Sequence, residues 1–308
     1  MNTPQRIHTY TDMIADSARW DRFQPRKGDI IVATPPKCGT TWTQMICALL
    51  VHQSPQFPQP LTVLSRWLDR HSEPAEAVAA HFDAQPFRRI VKTHTPLDGL
   101  PFYDEATYVV CGRDPRDAFL SMMDHMSNLS QATIAEATGR AGMPPDFRFP
   151  TDANAMFPVW LTTGTQPWMD DGFPAGSTFY FTQTYWRFRH LRNVVFLHYQ
   201  DMTDDLGGEM RKLSTALGIP VDEAKFPALV EAARFSAMKT DAAALAPGAH
   251  LGEWADNTNF FRKARSGEWR SVLSAENLAL YDQLASTKVE AGCLAWLEGG
   301  RKAFDPAA

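Results

Sequence analysis

No stretch of this chain approaches the ~18 consecutive apolar residues that a membrane-spanning helix needs. The opening segment, MNTPQRIHTYTDMIADSARW, lacks the apolar centre of a secretory signal, so a cytoplasmic protein is expected. Cysteine is scarce. Cys38, Cys47, Cys111 and Cys293 lie far apart and form no CxxC pair, which argues against a disulfide framework and a thiolate zinc site. No carboxylate-and-histidine cluster has the spacing of metal ligands either, so no metal is expected. An excess of positive charge is also missing: 30 Lys and Arg stand against 35 Asp and Glu, a net charge of -5. No global basic field draws the protein to nucleic acid or anionic lipid, and any anion site must be a local concentration of donors. Internal repeats are absent.

What remains is ordinary globular material: 308 residues, 44% hydrophobic and 21% charged, enough to bury a large core. Four short runs rich in Val and Ile read as strands buried on both faces: DIIVAT (29–34), RRIVKTH (88–94), ATYVVCG (106–112) and NVVFLHY (193–199). Helical patterns follow the first, third and fourth, namely TTWTQMICALLVHQ, PRDAFLSMMDHMSN and MTDDLGGEMRKLSTALGIP, the last stopping at Gly218 and Pro220. Strands alternating with helices predict an α/β fold, a P-loop-like parallel sheet flanked by helices on both faces. Residues 127–177 break the pattern. They are dense in Pro, Gly, Trp and Phe, and read as an ordered, aromatic-rich lid insertion within a single domain spanning residues 1–308. Its Phe157, Trp160, Trp168 and Phe173 suit the lining of a site for an apolar or aromatic acceptor.

The junction IIVATPPKCGTTWTQMI (30–46) carries the chemistry. Open parallel sheets bind ligands beyond the carboxyl ends of their strands, and a helix N-terminus offers free N–H groups and a partial positive charge. Gly39 lets backbone amides approach an anion. Thr40 and Thr41 add hydroxyls, with Thr40 a candidate helix cap, and Lys37 adds an ammonium. The Walker A loop, GxxxxGK[ST], places its lysine after the second glycine. Here the lysine precedes the glycine by two residues and the first glycine is missing, so this is not a standard triphosphate loop.

TPPKCGTTW resembles the 5′-phosphosulfate loop of the cytosolic-type sulfotransferases, TYPKSGTTW. IVKTHTP (90–96) resembles their KTHLP segment, YVVCGRDPRDAFLSMM (108–123) their 3′-phosphate segment, and FFRKARSGEWRSVLS (260–274) their RKGxxGDWK element. With these segments in the family's order between Gly28 and Trp269, the chain is identified as a bacterial-like member of that family, which uses 3′-phosphoadenylyl sulfate (PAPS) and releases adenosine 3′,5′-bisphosphate (PAP). The resemblance implies sulfuryl transfer to a hydroxyl or amine of a small acceptor. It makes His94 the general base, puts Lys92 beside the transferring group and Lys37 at the leaving oxygen. Lys37, Cys38, Gly39, Thr40, Thr41 and Trp42 would hold the donor's 5′ side. Arg113, Ser121, Arg262, Lys263 and Ala264 would hold its 3′-phosphate, and Trp42, Phe235 and Tyr199 would surround its base. Ala264 stands where the family has glycine, and the family's KxxxTVxxxE dimer motif is broken at Ser274, Ala275 and Ala279, so a homo-oligomer is not specified.

His125 is the one further histidine kept in reserve as a base. Asp114 and Asp117 read as a helix cap and a dipole partner, with Pro115 at the first helical position. The alternative is an ATP-dependent kinase or other P-loop nucleotide-binding protein, with Asp201 as a Walker B-like aspartate. A non-catalytic nucleotide binder on the same fold is a third reading, though it would need no base at His94.

Overall fold

A computed structural model describes residues 3–140, 148–260 and 266–307 of the chain. Each of the four apolar runs becomes a strand: β1 (Ile30–Ala33), β2 (Ile90–Thr93), β3 (Thr107–Gly112) and β4 (Val194–His198). They pair in parallel in the order β2-β1-β3-β4, with Ile30 opposite both Ile90 and Thr107 and Tyr108 opposite Val194. Successive strand residues point to opposite faces, and two separate cores show it. Ile31, Ala33, Val91, Tyr108 and Val110 enter one, and Ile30, Val32, Ile90, Val109 and Cys111 enter the other. Both faces are covered, which is why the runs are apolar throughout rather than alternating.

Helix α1 (Thr40–His52) follows β1 and is buried at every position from Thr40 to Leu50. A helix apolar nearly all round belongs inside a protein. The helix Pro115–Ser127 starts as expected: Asp114 accepts from Arg116 N, and Pro115 occupies the first turn. The single helical pattern expected after β4 is instead two helices, Tyr199–Asp204 and Leu206–Leu217. Asp205 breaks them and caps the second by accepting from Gly208 N, and Gly218 ends it in the left-handed conformation.

Residues 127–177 differ most from expectation. They contain the helices Gln131–Arg140 and Ala153–Thr162. Phe157 and Trp160 do not line an acceptor site. Both are buried in the sheet's first core, with ring centroids 4.9 and 5.4 Å from Phe119. An aromatic residue serves a core as readily as a cavity, and composition does not distinguish the two. The carboxyl ends of β1 and β2, β1 being flanked by β2 on one side and β3 on the other, open onto a cavity of ≈660 Å³.

Candidate active site

The loop between β1 and α1 takes a conformation that few sequences tolerate. Lys37 has φ +68° and Gly39 φ +95°. A Cβ on Gly39 would also sit 3.2 Å from the Tyr199 ring. Only glycine adopts this conformation without strain, and a left-handed lysine is held there by its surroundings. Arg113 Nη1 donates to the Lys37 carbonyl at 3.1 Å, and Cys38 N donates to Pro35 O at 3.3 Å. The first backbone bond of α1 runs from Thr43 N to Gly39 O at 2.9 Å, leaving the preceding amides as open donors at a helix start. Thr40 does not cap this helix. Gly39 holds the cap position with no side-chain bond, and the Thr40 hydroxyl pairs with that of Thr34 at 2.6 Å. Cys38 lies off the cavity wall. Its side chain is fully buried, and burial pushes its thiol up to about 12.

Strand β2 delivers Lys92 and His94 to the same cavity. His94 Nδ1 lies 2.8 Å from the Thr34 carbonyl, which can only accept. The proton therefore sits on Nδ1, and Nε2 carries the lone pair. Burial, followed by the charge of Lys92, lowers the imidazole to about 3, so it is neutral at neutral pH. Burial and Arg70 lower Lys92 to about 7. Its ammonium lies 4.5 Å from the Trp67 ring centroid, and the same ring meets His94 edge-on at 4.8 Å. Lys37 is lowered to about 8 by burial and then by Arg113; its Nζ lies 3.2 Å from His125 Nδ1.

On the opposite wall the Arg113 guanidinium stacks 4.4 Å from the Tyr199 ring centroid. Tyr199 meets Trp42 edge-on at 5.3 Å, and Trp42 Nε1 donates to Ala233 O at 2.8 Å. Ser121 and Phe235 reach the cavity as well. The structure thus gathers Lys37, Gly39, Thr40, Thr41, Trp42, Lys92, His94, Arg113, Ser121, Tyr199 and Phe235 around one space, although they come from segments spread between residues 37 and 235 of the chain. Arg262, Lys263 and Ala264 lie outside the described residues. Just beyond them Gly267 N donates to Asp117 Oδ2 at 2.7 Å, a tether more specific than the dipole role expected of Asp117.

Several wall residues have no counterpart in the sequence reading. Trp67, in SRWLDR, reaches the site because its segment bridges to β2: Lys92 N donates to Arg66 O and Leu68 N to Lys92 O. Arg70 pairs with Glu253 at the cavity edge, 183 positions away in sequence. No periodicity or spacing marks such contacts. Asp201, the aspartate on which a triphosphatase reading rests, is off the wall, 8% exposed, and accepts from Arg301 N at 3.0 Å. Among the described residues no group of three or more His, Cys, Asp or Glu is arranged to hold a metal ion, and no helix is long and apolar enough to cross a membrane.

Comparison with known proteins gives a consistent result. The sulfotransferase domain family matches residues 27–291. A glycolipid sulfotransferase of Mycobacterium bovis is 37% identical over 321 aligned residues, 97% of this chain and 96% of that protein. The fold is similar to that of retinol dehydratase in complex with retinol and PAP, with TM-score 0.69, 21% identity, and 90% of this chain and 87% of that one covered. It is also similar to mouse sulfotransferase SULT7A1 complexed with PAP, with TM-score 0.65, 20% identity and 89% of each chain covered.

Proposed function

The chain belongs to the sulfotransferase family, and from that premise we propose that it moves a sulfuryl group from PAPS to an acceptor hydroxyl or amine by in-line displacement. One observation carries the reading: a neutral histidine with an open Nε2, two ammonium groups and an uncapped helix start face the same cavity. The open amides at the start of α1 suit the donor's 5′-phosphate, with Thr41 beside them. Arg113 and Ser121 suit its 3′-phosphate, and the family resemblance of the segment 260–274 adds Arg262, Lys263 and Ala264 to that task. Trp42, Tyr199 and Phe235 offer ring surfaces to a base. When bound, the donor supplies the sulfuryl group and a 5′-phosphate leaving group.

His94 Nε2 takes the acceptor's proton, and the Nδ1–H bond to Thr34 O holds the ring in the tautomer that can do so. Lys37 stabilises the charge that grows on the leaving oxygen, and Lys92 stands beside the group in flight. Burial lowers both lysines toward neutrality, so an incoming anion strengthens their charged forms and gains a strong partner in return.

For the acceptor, the cavity mixes apolar walls (Ile14, Trp67, Met169) with polar ones (Asp12, Arg70, Glu253). This supports an amphiphile whose reacting hydroxyl sits among polar groups, a glycolipid being favoured by the 37% identical relative. The reading is tested with labelled PAPS and a panel of lipid, glycolipid and phenolic alcohols, read by product mass. Sulfated product is expected, with PAP raising Tm strongly and Mg-ATP leaving it unchanged. Lys37→Ala and His94→Ala should each fold and lose about a hundredfold in kcat. Wild-type turnover in either variant would remove that residue's role.

A further inference from the structure

The sulfuryl-transfer reading gives no task to His125, yet its Nδ1 lies 3.2 Å from the Lys37 ammonium. It sits on the helix Pro115–Ser127, one turn beyond Ser121. Its ring meets Trp254 edge-on at 4.8 Å and Phe260 at 6.4 Å, while the Lys37 ammonium lies 5.0 Å from the Phe260 ring centroid. An ammonium has three donors and no acceptor, so the 3.2 Å contact requires His125 to present an unprotonated Nδ1 and keep its proton on Nε2. The surroundings keep the ring uncharged. Burial and then Lys37, Lys92, His94 and Arg70 all disfavour an imidazolium, and hold His125 well below its ordinary value. Lys37 faces Arg113, which opposes its charge, and Asp124 and Cys38, which support it more weakly.

We propose that His125 is a positioning residue for Lys37: a neutral imidazole acceptor that fixes the direction of the ammonium and preserves its charge in a buried site until the donor's 5′ side replaces it as partner. The proposal rests on the Lys37 reading above. It predicts that removing the acceptor while keeping the ring's bulk disfavours the charged lysine. His125→Phe keeps the packing against Trp254 and excludes water but cannot accept; His125→Gln can accept.

The experiment is PAP affinity by titration calorimetry from pH 6 to 10, which needs no turnover, with kcat followed in parallel. Wild-type affinity should fall on the alkaline side as Lys37 loses its proton. In His125→Phe that limb should begin about one unit lower in pH, with PAP affinity on the acid side equal to or above wild type, because the donor has already displaced His125 in the complex. His125→Gln should keep the wild-type limb. An unchanged limb in His125→Phe overturns the proposal, as does an equal shift in His125→Gln. Should His125→Phe fail to fold, His125→Leu serves the same comparison. The control separates the two claims: in Lys37→Ala the part of the limb near pH 8 should vanish, leaving that of Lys92 near pH 7, and its survival there would discredit the Lys37 reading itself.

Discussion

Gly39 shows how much a single position can decide. Its φ of +95° is open to glycine at little cost, and its missing Cβ leaves room for the Tyr199 ring and for Cys111 Sγ, 3.5 Å from where a Cβ would stand. Lys37, two residues earlier, is held in the left-handed region without that freedom. Gly39→Ala should therefore reshape the loop rather than unfold the protein. We expect PAP affinity about five- to 150-fold weaker by calorimetry, the equivalent of about 1–3 kcal/mol of strain in the loop proposed to hold the phosphate. Equal affinity in the variant would mean that the amides of this loop do not hold the phosphate. The identity of this glycine was legible in the sequence, because a strand end followed by Lys-Cys-Gly-Thr-Thr has few other uses. The bond of Lys37 to His125 was not, since it joins residues 88 positions apart.

At the scale of the element, the helix Ala153–Thr162 carries Pro158 in its interior. Proline cannot donate to the carbonyl four residues back, so Asn154 O loses its helical partner. Asn277 Nδ2 supplies one at 2.9 Å and also reaches Asn154 Oδ1 at 3.0 Å, joining this helix to Ala275–Lys288. Asn277→Ala should lower unfolding stability by about 1 kcal/mol in denaturant titration, because it leaves a partly buried carbonyl without its partner. PAP affinity should not change, Asn277 being absent from the cavity wall. A neutral substitution would mean that water replaces the amide. The same helix shows why a Pro- and aromatic-rich stretch resembled an acceptor site: Phe157 and Trp160 are the side chains that dock it on the sheet.

Across the whole molecule, charge is paired at one end of the sheet and left without a close partner at the other. At the amino ends of β1 and β2, Arg89 and Asp29 form a buried pair, Nε to Oδ1 at 2.8 Å, in which each charge has its partner. At the carboxyl ends, Lys92 lies against an indole, and Lys37 and His94 are likewise pushed toward their neutral forms by burial. The folded value of Lys92, about 7, is below its unfolded 10.5. Between those values the unfolded chain binds more protons, so stability without ligand should rise as pH goes from 7 toward 10 and fall on acidification. Lys92→Met removes a buried ammonium without a close counter-charge. It should raise the ligand-free Tm at pH 7 and flatten this pH dependence while lowering turnover, as expected where stability is given up for function. A lower Tm in that variant would show that Asp69 and Glu253 compensate the charge at longer range.

The sequence by itself determined the four strands, the positions where helices follow them, the glycine-bearing turn after the first strand and the family, because each is a local pattern. Strand burial, helix starts and glycine-dependent turns are written in neighbouring residues and act over a few ångströms of chain. Only the tertiary structure decided which aromatics pack the core and which face the cavity, where Trp67, Arg70 and Glu253 join the wall, and how His125 meets Lys37. Those outcomes depend on segments that become neighbours after the sheet has closed, and the electrostatics follow from them, since a lysine's charge responds to the water it loses and to partners distant in sequence.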